Sequence, residues 1–173
     1  MEWHEVLSDG YGHVLRTLEY TLEGLTEDDI NWQPKPDCNS IGWLAWHLTR
    51  WHDVLIAAFM SEEQLWIKDK WHEKFGRPAD AEDHGLGHKP EDLAAFKSPD
   101  AKTLLGYHRA VLERSKRYFP TLLTADLDKI FEGTPFKPPP TWGMMLMGTL
   151  SDGLQHAGQA AYVRGLRRGM GWH

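Results

Sequence analysis

Two well-separated apolar segments of this chain carry side chains that bind metals. The first is Trp-Leu-Ala-Trp-His-Leu-Thr-Arg-Trp-His-Asp, residues 43 to 53, centred on His47. The second is Ser-Asp-Gly-Leu-Gln-His-Ala-Gly-Gln-Ala-Ala-Tyr, residues 151 to 162, which offers Asp152 and His156. Asp152 and His156 are four apart, so on a helix they lie on one face, one above the other. A third ligand from a facing helix would complete a three-ligand site that leaves a position open for water or substrate. Two imidazoles and a carboxylate suit a divalent metal, zinc first, with nickel and ferrous iron also compatible. Burying Asp152 in an apolar segment is costly unless a cation or a donor compensates it.

Each of these residues also has a plainer reading. His47 alone could be a hydrogen-bonded core histidine, and Asp152 with His156 a side-chain pair on a helix surface. His52, five residues after His47, is rotated well away from it and reads as a packing or surface residue. Trp43, Trp46 and Trp51 read first as core, and alternatively as walls of an apolar pocket beside the metal. Gln159, nearly one turn after His156, is placed to support the site by hydrogen bonding. Met144, Met145 and Met147 read as core filler. The motif Ser-Asp-Gly-x-x-His also occurs at residues 8 to 13, but two glycines in so short a span favour coincidence over a second metal pair at Asp9 and His13.

Positioning these groups requires helices, and the chain supplies them. Apolar residues Val6, Val14, Leu15, Leu18, Leu22 and Leu25 recur at helical steps in residues 3 to 24, with Gly10 and Gly12 weakening the early part. Thr26 to Asp29 has the form of a short capped turn. After Pro34 and Pro36, Asn39 or Ser40 caps a second long helix from Ile41 to about Met60. Ser61 with Glu62, Glu63 and Gln64 resembles another cap and first turn, predicting a helix to Phe75. Glycine, proline and charge dominate from Gly76 to Lys97, which predicts a long loop acting as a lid or crossover. Ser98-Pro99 opens a helix to Tyr118. Residues 124 to 129 form a capped turn, Lys137 to Pro140 a stiff linker, and Thr141 caps the last helix, which runs to about Arg168. There is almost no strand signal. The expected fold is therefore all-α: a four-helix bundle with a long crossover between its second and third helices, as a single domain over residues 1–173.

The net charge of −6 is spread along the chain and argues against a nucleic-acid partner. Arg164, Arg167 and Arg168 form one basic cluster, read either as pairing with a helix C-terminus or as contact with an anionic substrate group. Cys38 is the one cysteine, so no internal disulfide is expected. No segment reaches the roughly 18 apolar residues of a membrane span, and no secretory leader is evident at Met-Glu-Trp-His-Glu, so a cytoplasmic protein without a membrane partner is expected.

The residues resemble those of the DinB/YfiT-like family of metal-dependent bundle proteins. Its members carry one histidine on the second helix and two ligands four apart on the fourth. Trp-His-Leu-Thr-Arg around His47 resembles the first element, and Gln-His-Ala-Gly-Gln-Ala-Ala-Tyr around His156 resembles the last. The common pattern has histidine where this chain has Asp152, although the similar mycothiol-dependent isomerases use a carboxylate there. Asn-Ser-Ile-Gly-Trp-Leu-Ala-Trp-His-Leu-Thr-Arg, the longer string ending Ala-Ala-Tyr-Val-Arg-Gly, and residues 74 to 88 together resemble the mycothiol transferase branch. The resemblance implies a metal at His47, Asp152 and His156 that acidifies a small thiol, mycothiol- or bacillithiol-like, for attack on an electrophilic small molecule in detoxification or stress response. It leaves two alternatives: a hydrolase in which the metal activates water against a small amide or ester, and a non-enzymatic, stress-related metal-binding protein. Under any of these a homodimer is expected.

Overall fold

The computed structural model describes residues 2–132, 134 and 136–169; the termini that complete the single-domain reading, Met1 and residues 170–173, lie outside them. Eight α-helices occur among the described residues. They are α1 (Trp3–Leu22), α2 (Glu27–Asn31), α3 (Ile41–Met60), α4 (Leu65–Lys68), α5 (Trp71–Lys74), α6 (Pro90–Ala95), α7 (Ala101–Tyr118) and α8 (Trp142–Arg168). Two 3₁₀ turns, Phe119–Thr121 and Thr124–Asp128, lead from α7 towards α8. No strand is found among the described residues; one isolated bridge pairs Ile130 with Thr141.

The four long helices pack in a ring. α8 lies against α1 and α3, and α7 closes the other side against the same two helices. Their starts follow local chemistry. Ser40 Oγ accepts from the Trp43 amide to begin α3, Asp100 accepts from Thr103 to begin α7, and Thr141 from Met144 to begin α8. The third long helix thus starts slightly later than Ser98-Pro99 suggests, because Asp100 is the residue that caps it. α1 runs straight through Gly10 and Gly12. At Gly10 a Cβ would come within 2.8 Å of Leu150 Cδ2, so the missing side chain lets α1 approach α8 closely.

The crossover from α3 to α7 departs most from expectation. Instead of one helix to Phe75 there are two short ones, α4 and α5, broken where Lys70 takes a left-handed conformation with φ 55°. The start of α4 is capped from a distance. Asp53, wholly buried on α3, accepts from the Leu65 and Trp66 amides at 3.0 and 2.8 Å. No local cap at Ser61 is needed, and α4 is held by tertiary contact rather than by its own propensity. The loop expected over Gly76 to Lys97 contains α6.

One guanidinium ties this crossover down. Arg50 is fully buried on α3, with Asp53 Oδ2 at 3.6 Å. Its Nε donates to the Asp83 carbonyl at 3.0 Å, and Nη2 donates to the Ala81 carbonyl and to Gln64 Oε1 at 3.1 and 2.8 Å. Tyr107 from α7 donates to Asp53 at 2.7 Å, and Arg114 lies 3.7 Å from the same carboxylate. The buried charges are therefore paired and hydrogen-bonded, the condition under which a core tolerates them.

The three methionines do not act alike. Met145 is buried, but Met144 and Met147 are exposed at 64% and 57%, since α8 turns their side of the helix to the outside. The arginine cluster serves the fold. Arg167 and Arg168 both hold the buried carboxylate of Asp29 in α2, and Arg164 donates to the carbonyls of Thr21 and Glu23. These bonds fasten the end of α8 to the turn after α1.

Candidate metal centre

His47 sits on α3 with Asp152 and His156 opposite it on α8. Each offers one ligand atom, and the three atoms lie within 4.8 Å of one another. His156 Nε2 is 3.3 Å from Asp152 Oδ1, and His47 Nε2 is 4.0 Å from the same oxygen. The two imidazoles meet nearly at right angles, with centroids 4.9 Å apart.

The far nitrogen of each ring is held. His47 Nδ1–H donates to the backbone carbonyl of His84, and His156 Nδ1–H donates to Gln159 Oε1 at 2.7 Å. Both bonds fix the ring orientation and turn Nε2 inward, the arrangement by which metal-binding histidines are prepared. The second carboxylate oxygen, Asp152 Oδ2, is buried without a hydrogen-bond partner among the described residues. A carboxylate with one buried, unmatched oxygen, whose other oxygen faces two inward-turned Nε2 atoms, is what a divalent cation would satisfy, so the donor set fits such an ion.

The electrostatics of the two rings differ. Burial pushes His47 below the usual histidine pKa. The hydrogen bond to Asp152 raises His156 above it, with burial opposing. The contact with Asp152 thus favours a proton on His156 over one on His47.

A second layer holds the first. Trp43 stacks on His47, with centroids 4.7 Å apart and planes 13° from parallel. Its indole N–H donates to His88 Nδ1 at 3.1 Å, and His88 Nε2–H in turn reaches Asp83 Oδ1 at 3.1 Å. Gly85 passes over these rings with φ +91°, where a Cβ would fall 2.8 Å from Trp43 and 3.1 Å from His47 Nδ1. Only glycine combines that backbone conformation with so close a pass. Trp46 is wholly buried among Trp66, Phe96 and His88, in the core rather than on a pocket wall. His52 is also a packing residue, stacked on Tyr11. Asp9 and His13 form an exposed pair 3.4 Å apart on the surface of α1, away from the bundle core.

Two cavities flank the cluster, and neither is lined by Trp43 or Trp46. One, of about 650 Å³, opens beside Gln159 and Gln155 and reaches Leu44, Cys38 and Tyr162. The other, of about 450 Å³, lies on the His84 side, with Trp51, Leu55 and Ala58 from α3 and Met145 from α8 in its wall. Of Trp43, Trp46 and Trp51, the one in the wall of either cavity is therefore Trp51. His84, Gly85, Asp83 and Arg50 have no readable role in the sequence. A backbone carbonyl has no residue signature, and the only hint is Arg50 and Asp53 placed three apart inside an apolar helix.

The DinB superfamily model matches residues 12–160. Among solved structures, a conserved protein from Enterococcus faecalis is similar to this chain, with a TM-score of 0.89 and 29% identity over 98% of this chain and 99% of that one. No curated protein matches.

Proposed function

The chain belongs to the DinB superfamily, and from that premise we propose that it is a metal-dependent transferase which joins a low-molecular-weight thiol, mycothiol- or bacillithiol-like, to an electrophilic small molecule. His47, Asp152 and His156 would hold the metal, zinc in the first instance. The observation that carries the reading is the unmatched Asp152 Oδ2 beside two imidazoles whose Nε2 atoms are turned inward by His84 and Gln159. Bound there, a divalent cation would supply Lewis acidity that stabilises a thiolate at neutral pH.

The chain's own groups do the rest. The His84 carbonyl and Gln159 keep the two rings in place, so little reorganisation accompanies loading. A proton on His156 Nε2, facing Asp152, must leave before that nitrogen can act as a ligand. Trp43 covers one face of His47 and excludes water from it. The product is a thioether: sulfur bonds to the electrophilic carbon as the bond from that carbon to its leaving group breaks, the leaving group departs with the electron pair, and the thiol proton is released with it.

Elemental mass spectrometry on untagged protein tests the first half of this reading. Near-stoichiometric metal is expected in the wild type, with loss in both His47→Ala and His156→Ala. Thiol consumption against a panel of electrophiles then tests the second half. A wild type that takes up no metal even with added zinc overturns the proposal, and a loaded protein that releases acid from esters or amides but consumes no thiol assigns it to hydrolysis.

A further inference from the structure

The cavity on the His84 side is built from the same faces that carry the cluster. On α3, His47, Trp51, Leu55 and Ala58 follow one another at steps of four, four and three, so they share one stripe of the helix. On α8, Met145 lies seven residues before Asp152, again on one face and about 10 Å along the axis. His84 joins the two places, because its carbonyl holds His47 while its side chain lines the cavity. The cavity therefore begins about one helical turn from His47 and extends away from it for roughly two more.

Its described wall is apolar and aromatic, with two carboxylates, Glu82 and Glu132, and no lysine or arginine. Both carboxylates belong to exposed residues, and neither is ion-paired with a lysine or arginine among the described residues. Two unpaired carboxylates on an apolar chamber of about 450 Å³ select a flat hydrophobic body with a positive end, and they repel an anion.

We propose that this chamber binds aromatic or other apolar molecules bearing a cationic group, and that it seats the hydrophobic end of the electrophile beside His47. As a binding site it stands on the cavity alone; as the seat of the electrophile it rests on the thiol-transfer reading. The thiol would then approach from the opposite side, where the larger cavity meets Gln159.

Calorimetric titration separates the two. Naphthylmethylammonium, naphthylmethanol and naphthoate share one ring system and differ in charge. Each is titrated into the protein as purified and again with added zinc. The ammonium compound is expected to bind best and the carboxylate about tenfold or more weakly, a gap of roughly 1.4 kcal/mol. Ala58→Trp fills the chamber and is expected to abolish binding of all three. Glu82→Gln with Glu132→Gln, both at exposed positions, is expected to leave the neutral compound unchanged and remove the preference for the cation. Equal binding of naphthoate, or a cation preference that survives the double glutamine variant, overturns the proposal. Because binding is read without turnover, a protein that holds no metal can still show it, and a protein that holds metal and conjugates thiols can still lack it.

Discussion

The centre of the bundle contains two histidines that are buried as neutral rings, and they set how the fold responds to acid. Thr49 Oγ1 spends its proton on the Ala45 carbonyl, so it accepts from His108 Nδ1–H at 3.0 Å. Ser115 Oγ likewise donates to Val111 and accepts from His52 Nε2–H at 2.8 Å. His108 Nε2 and His52 Nδ1 are buried with no partner among the described residues, so protonating either ring would place an unmatched cation in the core. Burial, with Arg109 adding to it, lowers the His108 pKa from 6.5 to about 4, and burial with the neighbouring His108 lowers that of His52 in the same direction. A base whose folded pKa is depressed stabilises the fold fully above its unfolded pKa, and that stability is lost as pH falls from the unfolded towards the folded value. Going from about pH 7.5 to about pH 5, His108 alone removes about 2 kcal/mol, because the unfolded chain takes up a proton there that the folded chain refuses. The assay is urea unfolding of chelator-treated protein followed by tryptophan fluorescence at both pH values, for the wild type and for His108→Gln. The variant starts less stable, but its loss between the two pH values is expected to be smaller by about 2 kcal/mol. Relief of His52 in the variant acts with the same sign. If His108→Gln loses as much stability as the wild type over that interval, the ring is not held neutral and the reasoning fails.

Three further outcomes follow from the layer behind the cluster. Arg50→Ala leaves Asp53 without its closest cation and frees the carbonyls of Ala81 and Asp83; a loss of roughly 3–5 kcal/mol is expected in denaturant unfolding, with new protease cleavage between residues 76 and 90. Gly85→Ala drives a Cβ against Trp43 and His47 and is expected to weaken zinc binding about tenfold or more, whereas Gly87→Ala, at φ +84° with open space around it, should change stability but not zinc affinity. Equal zinc affinity in these two glycine variants would show that the pass over His47 does not matter. Gln159→Ala frees His156 Nδ1 and is expected to reduce zinc affinity by roughly 10- to 100-fold in competition with a chromogenic chelator.

The long helices are legible in the sequence because their apolar residues repeat at 3.6 and their caps stand at the ends: Ser40 and Thr141 have the right chemistry in the right place, and both cap in the structure. The four-residue spacing of Asp152 and His156 is enough to put them on a common helix face, and the ring of helices brings His47 to it. The crossover is not legible. Residues 61 to 75 carry helical propensity throughout, yet α4 takes its cap from Asp53, twelve residues upstream of Leu65, and such a contact leaves no local trace. Met144 and Met147 mislead because a methionine run on a long helix has no signal for which side faces out. The cluster's supports are hidden for a related reason. His84 acts on His47 through a peptide carbonyl, and any residue at position 84 would present one.

Besides its helix faces, the apolar chamber has two walls made by connecting segments, and these are not equivalent as material for divergence. One comes from residues 82 to 86, the other from Phe131 and its neighbours before the last helix. Insertions or exchanges in the second wall would retune which molecules fit without disturbing the rings. The first wall has no such freedom. Its backbone is bonded to Arg50 at Ala81 and Asp83 and to His47 at His84, so a single added residue there would shift the imidazole as well as the pocket. Drift in ligand range within this fold should therefore accumulate ahead of Thr141, while the segment between Ala81 and Gly85 keeps its length.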